Sequence, residues 1–298
     1  MTNIVDVLDV LAPNTWTGTG FNLIAVPNAG GGPPDPIFTL LLNATEETLR
    51  FSAVTPDAKD RGAGKHTVSL RTALYLQTIK DPKDNTTIHV EPGLWGHVPR
   101  TDENSDTFFR LASTPHGDCL LAQSTFFGPV TQELEIEHVS TNSFPFQQTD
   151  PIPKLNADPA NPLDGHYIGQ YLNPGPNFPA DFLPKGLNPA EIVKDPAKIL
   201  LAAIKGQAIT ETDVIVISTK PTQPTGILNI PVATSTAKAV QMDAIVWVEK
   251  LKDGGSGTPP YQLQYLQRVI LDFGRVHWPH VSVATLKLDN KKTVAQLP

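Results

Sequence analysis

The sequence predicts an all-β fold, a closed antiparallel meander β-barrel of about ten strands that carries a long Pro-rich, partly helical insertion. Three observations support this. Many short stretches alternate apolar and polar residues with a period of two and are rich in β-branched and aromatic side chains. They are joined by turn-forming links such as Asp81-Pro82-Lys83-Asp84-Asn85 and Asp253-Gly254-Gly255-Ser256-Gly257. Proline is abundant, 29 of 298 residues, and proline is tolerated in connections and at sheet edges but not in helix interiors or central strands.

Strands are expected near Trp16–Ala25, Ile37–Leu42, Thr48–Val54, Val68–Ile79, Thr87–Glu91, Thr107–Ala112, Asp118–Ser124 and Glu133–Val139. A second set is expected near Thr210–Ser218, Ala237–Glu249, Gln262–Phe273 and Val281–Leu288. Between the sets lies the insertion, residues 142–206, dense in proline from Pro145 to Pro196. Within it, Pro189–Lys205 places Ile192, Val193, Ile199, Leu200, Leu201 and Ile204 at helical spacings. Tyr167, Tyr171, Phe178 and Phe182 supply the apolar area to order the segment. The insertion is therefore expected to pack over the barrel, as a lid or an interface, within one domain spanning residues 1–298. Two small barrels, one per strand set, are the architectural alternative. No internal repeat is visible.

Composition narrows the function. With 40% hydrophobic and 18% charged residues the chain can build a substantial core. No run reaches the roughly 18 apolar residues of a membrane-spanning helix, so no membrane partner is expected. A net charge of −7 argues against a nucleic-acid surface. The single cysteine, Cys119, excludes an intrachain disulfide and a multi-thiolate metal site; its place in a strand predicts a buried, inert side chain. The first residues lack a basic and an apolar signal region, which predicts a cytoplasmic protein; without a signal, Asn43-Ala44-Thr45 and Asn85-Thr86-Thr87 carry no weight as glycosylation tripeptides.

Common chemical signatures are missing. Gly30-Gly31-Gly32-Pro33-Pro34 lacks the lysine of a phosphate loop, and there is neither a Gly-x-Ser-x-Gly elbow nor a His-Glu-x-x-His motif. The eight histidines hold the remaining information. His66 lies in a glycine-rich loop, His138 in an alternating run and His166 in the insertion; each reads most simply as an ordinary surface or core histidine. Two clusters differ. In Ile88-His89-Val90-Glu91-Pro92-Gly93-Leu94-Trp95-Gly96-His97, residues His89 and Glu91 share one strand face. In His277-Trp278-Pro279-His280 the two imidazoles project to opposite faces of an extended chain, so a shared metal is not expected. A lone imidazole beside a barrel mouth suffices as an axial ligand when a macrocycle supplies the other four nitrogens.

At this point the motifs resemble those of a known family. Asn14-Thr15-Trp16-Thr17-Gly18-Thr19-Gly20 resembles the Gly-Thr-Trp-x-Gly-x-Gly opening of nitrobindin-like, calycin-type haem-binding β-barrels. His89-Val90-Glu91-Pro92-Gly93-Leu94-Trp95 resembles that family's His-x-Glu-x-Gly strand, and Phe109-Arg110-Leu111-Ala112 and Pro115-His116-Gly117 follow in the family's order. The chain is also similar to a longer group of bacterial haem-binding peroxidases on this barrel. The resemblance implies haem b as cofactor and places the proximal iron ligand at His280, with His277 the alternative. It implies contacts to the cofactor from Trp16 and Trp95, although Trp16 beside Gly18 and Gly20 reads more simply as a filler of the barrel base.

Two functions from different classes follow as expectations. The first is haem-dependent peroxidase-like or small-gas and reactive-nitrogen chemistry, with His89 and His97 as proton carriers and Arg100 stabilising developing charge. The second is a non-enzymatic carrier of a fatty acid or other apolar ligand, its carboxylate held by His89, Arg100 or Arg110. A hydrolytic site built from Asp164, His166 and His116 has no support beyond composition. The expected partner in either case is a small-molecule ligand such as peroxide, nitric oxide or an apolar compound; homo-oligomerisation stays open.

Overall fold

The computed structural model describes residues 6–27, 38–55, 58–59, 69–100, 106–130, 143–147, 157–161, 167–172, 181, 183, 185–220, 226–231, 238–252, 260–273 and 276–289. In chain order these form α1 (Val7–Leu11), β1 (Thr15–Pro27), β2 (Phe38–Phe51), β3 (Ala58–Lys59), β4 (Ser69–Lys80), β5 (Thr87–Val98), β6 (Thr107–Thr114) and β7 (Asp118–Val130). Then follow β8 (Phe146–Gln147), α2 (Gly169–Leu172), α3 (Pro189–Lys194), α4 (Ala197–Ile204), β9 (Ile209–Ser218), β10 (Gly226–Asn229), β11 (Lys238–Leu251), β12 (Tyr261–Phe273) and β13 (Val276–Leu288). Among the described residues no helix is long and apolar enough to cross a membrane.

Ten strands pair antiparallel in the order β1-β2-β4-β5-β6-β7-β9-β11-β12-β13, and β13 pairs back onto β1 to close the barrel. Pairing of β7 with β9 joins the two strand sets across the insertion, so a single barrel forms and not two. The short strands β3, β8 and β10 flank it, on β4, β13 and β7. The closing seam runs from Trp16 opposite Leu288 to Ile24 opposite His280. It depends on two glycines: a Cβ at Gly18 would lie 2.1 Å from the Thr285 carbonyl oxygen, and one at Gly20 would lie 2.4 Å from that of Val283. No side chain fits at either contact.

Several strands outrun their sequence signals. The stretches read separately as Ile37–Leu42 and Thr48–Val54 are one strand, β2, and the run expected to stop at Glu91 continues to Val98. Pro92 does not end β5, because the ladder to β6 begins only at Gly93, so the proline sits where β5 has a neighbour on one side. Pro279 repeats the device in β13, one residue outside the ladder to β1. The strand expected at residues 133–139 lies outside the described residues.

Alternation divides the barrel wall into two faces with separate cores. Inward residues such as Trp16, Phe51, Trp95, Phe108, Met242 and Leu286 fill the interior. The outer face of β1, β9, β11, β12 and β13 is covered by the insertion: Ile192, Val193 and Leu200 pack with Phe21, Trp247 and Val283. Gln264 on β12 donates a hydrogen bond from Nε2 to the Leu200 carbonyl, 3.0 Å. At the rim, the Tyr171 hydroxyl donates to the Phe38 carbonyl, 2.8 Å. Runs such as Ala244-Ile245-Val246-Trp247-Val248 are apolar on both faces because both faces are buried.

The helical stretch expected over 189–205 is two helices. Asp195 closes α3, its N–H bonding to the Glu191 carbonyl, and Pro196 opens α4; a residue preceding proline is held out of helical geometry. Of the described helices, α4 lies against β12 and β13, while α2 reaches the rim at Phe38. Cys119, expected to be buried, is exposed. It alternates out of phase with the inward Leu120 and Ala122, so its thiol side belongs to the outer wall.

Candidate functional site

The two ends of the barrel differ. The lower end is plugged by α1, capped by Asp6, whose side chain accepts from the Leu8 N–H at 3.0 Å. Val7, Leu8 and Leu11 are buried there, and the Trp16 indole donates to the Leu11 carbonyl at 3.0 Å. Among the described residues the upper end carries no such plug. Inward-facing Ile24, Asn43, Val269, His280 and Ser282 are only half-buried, and Leu41 is 41% exposed although it points the same way. These residues ring the upper rim of the barrel, here called the cup, where apolar side chains stand beside a few polar groups.

His280 is the informative group in this cup. It pairs with Ile24 on one side and Val269 on the other, and shares the inward phase of Ser282, Ala284 and Leu286. Its Nε2 is buried and has no hydrogen-bond partner. Burial, reinforced by the neighbouring His116, pushes the imidazole down to about 4, against a hydrogen bond to the Ala25 backbone. His280 is therefore neutral at physiological pH, with one nitrogen tied to the main chain and the other left over. Asn22, also inward and two positions down the seam opposite Ser282, has a buried Oδ1 that is likewise without a partner.

His89 and His116 approach the cup from the opposite wall, with ring centroids 6.4 Å apart. His116, in the turn between β6 and β7, is pushed down by burial and by His89. His89 Nε2 lies 3.3 Å from Glu91 Oε2. Among the described residues no group of three or more histidines, cysteines or carboxylates is arranged to hold a bare metal ion.

Below the cup, a layer of buried polar side chains crosses the barrel. Arg110 is ion-paired to Glu91, donates from Nε to the Tyr75 hydroxyl at 2.9 Å and from Nη1 to Gln267 Oε1 at 2.7 Å. Tyr75 also donates to Glu91. Burial alone would raise the Glu91 carboxyl, but Arg110 and hydrogen bonds from His89 and Tyr75 hold it down to about 2. A second set surrounds Glu47, which accepts from Tyr265 (2.6 Å), Thr45 (2.9 Å) and Gln77 (3.2 Å). With no cation in contact, burial dominates and raises the Glu47 carboxyl. Tyr75 and Tyr265 are raised well above the usual phenol range by burial and the adjacent carboxylates, and so remain donors.

Beneath this layer large side chains such as Trp16, Phe51, Trp95 and Phe108 cluster inside the barrel. A hollow of about 30 Å³ remains, bounded by residues including Leu49, Phe51, Trp95, Val246 and Leu263.

The sequence-predicted residues divide accordingly. His280, His89 and His116 converge on the upper end. His97 faces inward on β5 like His89, but eight residues further along, roughly 26 Å for an extended strand. It belongs to the lower end, where Nδ1 meets Asp6 at 2.8 Å and Nε2 meets Asp106, so both nitrogens are occupied. Arg100 follows the end of β5 and is exposed; the structure brings neither it nor His97 to His280. Trp16 is a fully buried plug, and Trp95 packs against Phe108 and Arg110 inside the barrel. His277 sits outside, its ring 5.1 Å from that of Phe146 on β8, with Nδ1 buried and unpartnered. Asp164, His166, His66 and His138 lie outside the described residues.

Sequence reading missed the polar layer. Its signal was present: Thr45 and Glu47 share the phase of Leu49 and Phe51, Tyr75 and Gln77 that of Ala73, and Tyr265 and Gln267 that of Leu263. Polar residues in the inward phase of several strands mark a polar layer inside a barrel.

No family model matches the chain, and no curated protein matches it. Among solved structures, one titled "Crystal Structure of Rv2717c from M. tuberculosis" aligns over 97% of this chain and 100% of its own at a TM-score of 0.42 and 11% sequence identity.

Proposed function

We propose that the chain is a haem-binding protein whose cup receives the macrocycle, with His280 as the axial ligand. The observation that carries this reading is the state of His280. Its imidazole is neutral, one nitrogen is committed to the Ala25 backbone, and the buried Nε2 is unpartnered. A ligating histidine needs this arrangement, because iron takes the lone pair of a neutral ring whose tautomer is set by a hydrogen bond at the other nitrogen. Ile24, Leu41 and Val269 supply apolar surface beside it. The residues present thus fit the group.

When bound, the haem would supply iron chemistry towards peroxide or a small gas. His89 is the side chain of the cup best placed to move a proton there. Glu91, held ionised by Arg110, accepts from His89 Nε2 and orients the ring, an arrangement suited to general acid–base work on a peroxide. His97 and Arg100 take no part in this reading, being at the other end of the barrel. The carrier alternative gains nothing from Arg110, whose three nitrogens are already bonded within the polar layer.

The test is a haemin titration of the purified chain followed in the Soret region. Saturable binding at one equivalent, abolished or spectrally altered in His280→Ala and unchanged in His277→Ala, is expected. Restoration of the wild-type spectrum of His280→Ala by added imidazole would tie the loss to the ligand and not to the fold. Identical spectra for wild type and His280→Ala would overturn the reading.

A further inference from the structure

We infer that Glu249 is a proton-operated latch between the insertion and the barrel: protonated, it pairs with Gln262 and lets α4 lie on the wall, and on losing its proton it lifts α4 away. The carboxyl stands on β11 in the outward phase of Ile245 and Trp247, yet it is only 1% exposed. An outward side chain buried this deeply needs a cover. The chain is fastened down on both sides of it. Gln264, two residues along β12 from Gln262, donates to the Leu200 carbonyl of α4. The Lys252 N–H bonds to the Ala208 carbonyl at 2.8 Å, where the chain has left α4 for β9. The cover is thus α4 and the turn that follows it.

The groups beneath this cover suit an acid and not a carboxylate. Glu249 Oε2 accepts from Gln262 Nε2 at 2.5 Å, and the same amide leaves its Oε1 buried without a partner. Gln264 Oε1 and, in the turn after α4, Gln207 Oε1 are also buried and unpartnered. All three are acceptors. A protonated carboxyl has an O–H to give and can complete a two-bond pair with the Gln262 amide, whereas a carboxylate only accepts.

The charged groups of the surrounding elements offer no counter-ion. Lys198 of α4 is paired with Glu191, and Glu211 of β9 with Lys250. Asp213 of β9 shares the inward phase of Ile215, and the residue opposite Glu249 on that strand is Thr212. Lys205 after α4, Lys252 on β11's exit and Lys287 of β13 are exposed. Burial therefore prevails over the Gln262 hydrogen bond and raises the carboxyl to about 7.

Ionisation in place would leave a buried charge with one neutral partner. Water reaches it most easily by displacing α4, which is eight residues long, because β11 and β12 are paired from Lys238 to Lys250. Short segments of this kind open locally before a sheet does. Opening bares the apolar outer wall around Phe21 and Trp247. The latch lies on the opposite face of the wall from the cup and does not depend on iron there.

Hydrogen exchange of the full chain, read by mass spectrometry between pH 5 and 8, is the test. With the closed acid at about 7 and the open one at its usual 4.5, the open population rises about 70-fold over that range. Protection of the α4 amides, corrected for intrinsic exchange, should fall by that factor in the wild type and stay constant in Glu249→Gln. Protection of β4 and β5 should stay constant in both. An α4 protection independent of pH in the wild type, or an equal fall in Glu249→Gln, would overturn the inference. Should that variant fail to fold, the wild type decides alone, since the loss must fall on α4 and spare β4 and β5.

Discussion

His280 lies directly across the closing seam from Ile24, so the ladder that completes the barrel also fixes the height of the cup imidazole. Burial and His116 hold that imidazole at about 4, below the usual 6.5. A base whose folded value is depressed takes up its proton more readily when unfolded. Its contribution therefore weakens the fold as pH falls from about 6.5 towards 4, and is flat above that window. The expected slope is up to about 1.4 kcal/mol per pH unit for one proton. Denaturant unfolding of wild type and His280→Gln at pH 7, 6 and 5 should show that slope reduced in the variant. Binding through Nε2 should be constant from pH 8 to 5 and weaken only near pH 4.

The Glu91–Arg110 pair gives an asymmetric expectation. Arg110→Met leaves an ionised carboxylate buried without its cation and should cost about 3–5 kcal/mol, whereas replacing both partners by uncharged residues should cost markedly less. A double-mutant cycle of Arg110→Met and Glu91→Gln, read by chemical denaturation, measures this. Equal losses in the single and double variants would contradict it.

At the lower end, His97 is raised despite its burial because Asp6 and Asp106 both accept from it. Asp6 resists its own burial through His97, the Leu8 N–H and Arg71 and ends below its usual value. The imidazole's contribution is thus fully present below about pH 6.5 and is lost as pH rises through its folded value; that of Asp6 is lost on acidification below about pH 4. His97→Asn should lower stability most between those limits and flatten the decline from pH 6 to 8. Its effect on haemin affinity should be negligible, because it anchors α1 and not the cup.

The seam glycines make a steric prediction. Gly18→Ala places a methyl group 2.1 Å from the Thr285 carbonyl oxygen, against backbone that cannot yield without opening the β1–β13 ladder. A loss of at least about 2 kcal/mol is expected. Hydrogen exchange should show faster opening along β1 and β13 than along β4 and β5, where the same ladder is not involved.

Much of the fold was legible in the chain itself. Alternation located the strands and their two faces, the Trp16-Thr17-Gly18-Thr19-Gly20 run marked the close crossing at the seam, and the apolar spacing of Ile192, Val193 and Leu200 marked a helical face in need of cover. The site was legible in part. His89 and Glu91 were visible as neighbours on one strand face and His280 as the residue leading into the last strand, but the same alternation gave His97 an equal claim. The partners of Arg110 were hidden, because Tyr75, Glu91 and Gln267 reach it from three other strands.

The sequence by itself determined which side of each strand is apolar, and with it an all-β fold in need of an insertion packed over it; the β7–β9 and β1–β13 pairings decided that a single barrel closes. Tertiary structure decided everything that depends on height and on neighbours distant in sequence. It put His89 and His97 at opposite ends of one barrel, let β5 run through Pro92, and drew a polar layer from separate strands. The reason is physical: a period of two encodes which face a residue takes, whereas its depth inside a barrel is set by the register of ten paired strands, which no single stretch of chain contains.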